Sequence, residues 1–314
     1  MAPSFTQFTR IFATALLLSA VLLRALPASA AAVQSDTMPA IFRTGFLQST
    51  FKTVDIRDAK AVLEVNSREI ARIMGLGTAY EVVFFSDAAA MTTAVRKGEL
   101  ELVALPSIEF MHMRKMASLI PAFVNSENYG LGIRYVLITR KESGIRSFSD
   151  LKGKSLLLPS PGSYEPSHLW LEVLLMREGK VKRDSFFSQV RESPKPSSAI
   201  MAVFFGQADA AIVTLKGFEV SRQLNPQIGV KLAVLVESPH LVNEVICMTT
   251  STPESFRNNL IKAMTSFGSS KTGQQLYSIF QTSGITPFKA SFMAGLENLS
   301  NEQKRLKTKT ALKK

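Results

Sequence analysis

Few residues in this chain are equipped for covalent or metal chemistry. The three histidines, His112, His168 and His240, stand far apart, and Cys247 is the single cysteine. No H-x-x-x-H, C-x-x-C or G-x-S-x-G spacing occurs, so neither a metal ligand set nor an activated nucleophile is spelled out. His112 lies in Met111-His112-Met113 on an expected helix and reads as a packed or exposed side chain. His168 sits one turn into another expected helix, where it could reach a cleft. Cys247, inside Val245-Ile246-Cys247-Met248, reads as a small buried apolar residue. A lone cysteine also forms no internal disulfide. No catalytic residue, metal or cofactor is therefore expected. What remains is binding chemistry: hydroxyls, amides and charges just after expected strands. These are Gln48-Ser49-Thr50-Phe51, Ser86-Asp87, the loop Ser160 to Pro166, and Thr214 with Lys216.

The elements that must position these residues alternate. Short apolar runs at Ile41–Gly45, Glu81–Phe85, Leu100–Leu105, Arg134–Arg140, Ser155–Pro159, Ala210–Thr214, Lys231–Val236 and Glu244–Thr249 read as strands. Helical patterns lie between them. The spacing predicts a helix over Pro166–Glu178, one opened by Thr252-Pro253-Glu254, and one over Thr272–Thr282. This alternation predicts an α/β fold with mostly parallel sheets. An internal echo points to two lobes of similar build. Ala94–Val103 and Ala202–Ala211 each read as a helix end, a Gly, an acid two residues beyond the next, and a strand. Both continue to a Phe at matching distance, Phe110 and Phe218.

The chain opens like an export signal. Ile11–Leu23 is an apolar run too short for a comfortable membrane span, and Ala28-Ser29-Ala30 supplies an A-x-A cleavage site. Residues 1–30 are read as a signal peptide cleaved after Ala30. No Cys follows the run, which excludes lipid attachment there. With 46% hydrophobic and 20% charged residues, the remainder is globular in composition and long enough for two lobes. The net charge is +12, of which Arg10 and Arg24 leave with the signal. The last fourteen residues hold six Lys or Arg and one Glu, and 301–314 reads as a disordered basic tail. Nucleic acid fits poorly, because basic and aromatic residues do not interleave.

Taken together, several stretches resemble the periplasmic binding proteins of phosphate/phosphonate-type ABC transporters. They are Arg96–Phe110 with Leu105-Pro106-Ser107, Tyr135–Ile145, Phe148-Ser149-Asp150-Leu151-Lys152-Gly153-Lys154 running into Ser155–Pro159, Gly206–Ala210, and the Thr252-Pro253-Glu254 helix. The resemblance implies the type II periplasmic binding fold, two α/β lobes with a ligand cleft between them, joined by two crossover hinge segments. Lobe one would be 31–137 with 242–300, and lobe two 138–241. It implies a monomeric, periplasmic solute-binding protein that closes on a small polar, phosphonate- or phosphate-like solute and meets a membrane permease. The alternative is a sensor component presenting its ligand to a membrane kinase or cyclase. An enzyme on the same fold ranks below both.

The resemblance also implies a site. The family places an aromatic residue after the first strand, here Ser49-Thr50-Phe51, and a Ser after the third, here Ser107. Ser86, Thr214 and Lys216 follow other strands, and Lys216 could neutralise an acidic ligand or pair with Glu165. The strand after the D-L-K-G-K turn should run into a Gly-Ser-Thr-Ser-Gly-like loop that holds an oxyanion at a helix N-terminus. Here the loop reads Gly162-Ser163-Tyr164-Glu165-Pro166. A carboxylate there repels an anion, and proline removes an N–H donor. Three readings stay open. Glu165 caps the helix while Ser163 and Ser107 hold a weaker or neutral ligand; Glu165 pairs with a cationic ligand group; or tight binding has been lost in favour of a membrane partner.

Overall fold

Apolar runs and helical stripes fold into two sheets, each flanked by helices. The computed structural model describes residues 40–51, 55–76, 79–127, 130–160, 165–179, 182–279 and 284–311. In chain order the elements are β1 (Ile41–Leu47), α1 (Ile56–Ile73), β2 (Ala79–Phe85), α2 (Ala88–Arg96), β3 (Leu102–Pro106), α3 (Ser107–Met113), β4 (Leu119–Glu127), β5 (Gly130–Leu131) and β6 (Tyr135–Arg140). There follow β7 (Ser155–Pro159), α4 (Glu165–Arg177), β8 (Gln189–Ser193), α5 (Pro196–Phe204), β9 (Ala210–Thr214), α6 (Leu215–Leu224), α7 (Pro226–Lys231) and β10 (Leu232–Glu237). The chain finishes with β11 (Glu244–Thr249), α8 (Glu254–Ser269), α9 (Lys271–Ile279), β12 (Gly284–Pro287) and α10 (Ala294–Ala311).

The first sheet runs β12-β4-β11-β3-β1-β2, with β5 on β4; the second runs β10-β6-β9-β7-β8. The expectation of mostly parallel sheets is corrected. Only β1 with its two neighbours and β7 with its two neighbours pair in parallel. The remaining pairs are antiparallel, because β4 and β6 lead into and out of one crossing, and β10 and β11 into and out of the other.

The internal echo is a structural repeat. Gly98 and Gly206 follow α2 and α5 with φ of 69° and 74°, the left-handed conformation that closes a helix. Two residues past the next come Glu101 and Asp209. Glu101 accepts from the Arg43 N–H of β1 at 2.5 Å. Asp209 accepts from the Ser155 N–H at 2.8 Å, at the start of β7. In both lobes the acid thus pins its own strand to the parallel neighbour. Phe110 and Phe218 then bury at 1% and 2% exposure in the following helix.

The two crossings are stitched together. Ile133 and Leu241 exchange backbone hydrogen bonds of 2.7 and 2.9 Å. Gly132, at φ 79°, lies so close that a Cβ would sit 2.7 Å from the Leu241 carbonyl oxygen. Tyr135 and Ser238 bond reciprocally, and the Tyr135 hydroxyl donates to Asn243 at 3.2 Å. By sheet membership the passage into the second lobe precedes Tyr135, three residues before the expected boundary at Leu137, because all of β6 pairs within the second sheet.

Of the stretch 301–314 expected to be disordered, residues 301–311 continue α10 to Ala311, and 312–314 lie outside the described residues. Leu296 and Leu299 bury at 0% and 4%. Arg177 on α4 grips Glu302 with two parallel bonds of 2.9 Å, Gln303 donates to Glu172 on α4 at 2.5 Å, and Arg114 beyond α3 meets Glu297 at 2.6 Å. Basic residues in the last turns also suit the negative end of the helix dipole. The final helix therefore follows first-sheet strands in sequence yet lies against the second lobe's α4.

Candidate functional site

In an open α/β sheet the loops at the carboxyl ends of parallel strands face the ligand. In the first lobe those ends are β1, β2 and β3; in the second they are β7, β8 and β9. The turn after β1, Gln48–Phe51, is a single 3-10 turn. Phe51 is 7% exposed and its ring packs edge-on against Phe46 and Phe84, with centroids 5.8 and 5.4 Å apart. It is a wedge under α1 rather than an open stacking surface. Ser49 and Thr50 beside it are half-buried. The Thr50 hydroxyl is shielded from water and has no hydrogen-bond partner among the described residues.

After β2, Asp87 caps α2 by accepting from the Ala90 N–H at 2.9 Å, and Ser86 donates to the same carboxylate at 3.0 Å. The Ala90 amide and the Ser86 hydroxyl together hold the Asp87 carboxyl below its usual range. After β3, Ser107 is fully buried. Its hydroxyl donates to the Val242 carbonyl at 2.5 Å and its N–H to the Asn243 carbonyl at 2.8 Å. Ser107, expected to meet the ligand, here locks β3 to the return crossing through these two bonds.

The second lobe gathers more. A cavity of about 10 Å³, room for roughly one water, is lined by Pro159 at the end of β7, Ser193 at the end of β8, and Val213 and Thr214 at the end of β9. Pro194 and Pro196 wall it on the α5 side. Thr214 is half-buried and its hydroxyl accepts from the Gly217 N–H at 3.1 Å, capping α6. Lys216, also half-buried, lies in the first turn of α6. α5 begins at Lys195 with no side-chain cap and Pro at its first position. The next two amides, Ser197 and Ser198, have no carbonyl one turn back to receive them. α4 begins at Glu165. Three helix N-termini thus follow β7, β8 and β9, and each carries partial positive charge. Ser163 and Tyr164, like the signal segment 1–30, lie outside the described residues; Glu165 enters only as the first residue of α4.

Sequence reasoning missed Ser193 and the α5 N-terminus. The signal available was Ser193-Pro194-Lys195-Pro196, a Pro at the first position of a helix after a strand. It went unread because β8 is a polar edge strand. Asp209 has the structural role expected of it. Burial raises its carboxyl, but the Ser155 N–H and hydroxyl, with Lys154 and Arg140 nearby, bring it below its usual range. His168 is spent on the Pro159 carbonyl at 2.9 Å. Cys247 is buried, and burial drives its thiol far above the ordinary range. Among the described residues no group of three or more His, Cys, Asp or Glu could hold a metal ion.

Comparison with known proteins follows the same lines. Residues 70–292 match the family model described as ABC transporter, phosphonate, periplasmic substrate-binding protein. No curated protein matches in sequence. The fold is similar to a Xanthomonas citri protein solved with chloride (TM-score 0.61, 15% identity, 86% of this chain and 99% of that one). It is similar to a binding protein component of an ABC phosphonate transporter from Pseudomonas aeruginosa (0.57, 15%, 86% and 88%). It is also similar to PhnD1 from Prochlorococcus marinus in complex with methylphosphonate (0.57, 16%, 86% and 99%).

Proposed function

This chain belongs to the periplasmic substrate-binding protein family of phosphonate ABC transporters, and from that premise we propose that its solute is a small oxyanion held mainly by the second lobe. Membership makes it an extracytoplasmic transport component that carries a small molecule to a membrane permease, a role without turnover. The single observation that carries the oxyanion reading is the uncapped N-terminus of α5 beside Thr214, at the carboxyl ends of β8 and β9. Unspent amides there donate to an anion, and the aligned peptide dipoles favour it. Lys216 adds charge in the neighbouring helical turn. In the first lobe, Ser49 and the Thr50 hydroxyl, unpaired among the described residues, offer the opposing contact. With Glu165 opening α4, the anion is held by α5 and α6 instead of the loop Ser163-Tyr164-Glu165-Pro166. The mature chain begins at Ala31, acts as a monomer, and closes about the stitched crossings; intact mass and sedimentation of the exported protein check the first two points.

Calorimetric titration of the mature protein with methylphosphonate, phosphate, an alkanesulfonate, a primary amine and a neutral sugar tests the reading. An oxyanion is expected to bind. Thr214→Val should weaken it about tenfold, the worth of one hydrogen bond to a charged group. Glu165→Ser should tighten it. Binding of the amine or the sugar with no oxyanion binding would sink the proposal.

A further inference from the structure

Five of the eight large apolar side chains exposed among the described residues fall between Phe205 and Val234. Three of them stand at helix ends: Phe205 just past α5 at 65% exposure, Leu224 closing α6 at 82%, and Val230 in α7 at 61%. The topology puts them at one pole. Tyr135 pairs with Thr214 at the cleft end of the second sheet, so Arg140, at the other end of β6, marks the end away from the cleft. Leu232 pairs with Arg140 there, directly after α7.

Cations surround the three. The Lys231 ammonium lies 4.9 Å from the Phe204 ring, whose neighbour is Phe205. Lys141 donates to the Gly229 carbonyl at 2.9 Å, and the Arg222 side chain lies against Gly229. Arg140 abuts Gly206, and Arg191 reaches the Gln207 carbonyl at 3.3 Å. Two exposed acids answer them, Glu219 at 3.0 Å from Arg222 and Glu142 at 4.0 Å from Arg140. Asp209 is turned inward onto Ser155. Positive charge is in excess.

We propose that this pole of the second lobe, with Phe205, Leu224 and Val230 framed by Lys141, Arg222 and Lys231, docks on an anionic lipid surface. The shape favours lipid. The three exposed apolar side chains stand at three separate element ends. A protein partner would need a matching pocket for each, whereas a fluid interface accepts them one by one between headgroups. The cations between them suit anionic headgroups. Such docking holds the carrier beside the membrane in which its permease sits.

The test is co-sedimentation of the mature protein with vesicles of phosphatidylcholine, alone or mixed with phosphatidylglycerol. Binding is expected only to the mixed vesicles and should fall as salt rises. The loss of each cation near an anionic leaflet should weaken adsorption about fivefold. Lys141→Glu with Lys231→Glu should therefore reduce it more than tenfold, as should Phe205→Ser with Leu224→Ser independently. All four positions lie outside the proposed solute site, so both double variants should keep wild-type solute affinity, and a cooperative melt confirms that each is folded. Charge reversal at Lys304, Lys307 and Lys309 on α10 should leave adsorption unchanged. The proposal is overturned if anionic vesicles fail to bind or if both pole variants still bind. It also falls if the α10 reversal abolishes binding, or if Leu224→Ser dissolves a dimer of a protein that ignores lipid.

Discussion

Gly295, in the first turn of α10, faces the return crossing at close range. A Cβ there would overlap the His240 carbonyl oxygen and come within 3.3 Å of its carbon. Gly295→Ala is thus caught between two opposed effects. Alanine is worth up to about 1 kcal/mol over glycine within a helix. Against this, the clash is with backbone, and that backbone is held by the paired bonds of Leu241 with Ile133. The crossing cannot yield cheaply, so α10 must retreat and loosen Leu296 and Leu299. Overpacking of this kind costs about 1–3 kcal/mol, leaving a net loss of roughly 1–2 kcal/mol and a fall in Tm of about 3–6 °C. Gly229→Ala in α7 is the control, because the nearest atom its Cβ would meet belongs to the flexible Arg222 side chain, at 2.9 Å. That variant should melt at or above wild type. Calorimetric melting of both proteins decides the matter: if Gly295→Ala melts at or above wild type, the close packing of α10 on the crossing does not constrain the fold as argued.

Ser107→Ala removes a buried bond to the Val242 carbonyl and should cost about 1–3 kcal/mol in urea unfolding, while solute affinity stays within about twofold because the hydroxyl faces the crossing. Burial raises the Glu244 carboxyl above its ordinary range despite the bond from Asn125. The folded state therefore holds the proton more tightly than the unfolded state, and this stabilisation is complete below the unfolded value and lost as pH rises through the folded one. Glu244→Gln should match wild type in acid and melt higher at neutral pH, as a pH series of melting curves would show. Cys247 should resist a thiol reagent in the native protein and react once it is unfolded, since its thiol is buried and its ionisation suppressed.

The features legible in the sequence were those set by local rules. All eight expected strands formed, because apolar runs bounded by turns leave few alternatives. The Gly98 and Gly206 echo was readable because a left-handed residue after a helix favours glycine. Strands β4, β8 and β12 had no such signal: Pro121 sits inside β4, β8 is polar, and β12 is four residues ending in Pro287. The tail is illegible as a packed helix because its charges along 301–311 suit solvent equally well, whereas α4 supplies the partners for Glu302 and Gln303 from more than a hundred residues away. Site residues were the least legible. Ser107 and Phe51 carry side chains that suit a ligand, but only packing decides whether they face one. The sequence had no way to show that Val242 takes the Ser107 hydroxyl.

The interleaved lobes set an order on maturation. A chain threaded across a membrane N-terminus first delivers β6 through β10, the whole second sheet, before β11 and β12 emerge. That sheet can assemble as a continuous stretch of chain, while the first must wait with β3 lacking its β11 neighbour. Of the described elements α10 emerges after both sheets, and it then closes over α4. Deleting 294–314 should therefore leave both sheets able to form, with Met293, Trp170 and their neighbours uncovered, a form open to proteases and to chaperones outside the cytoplasm.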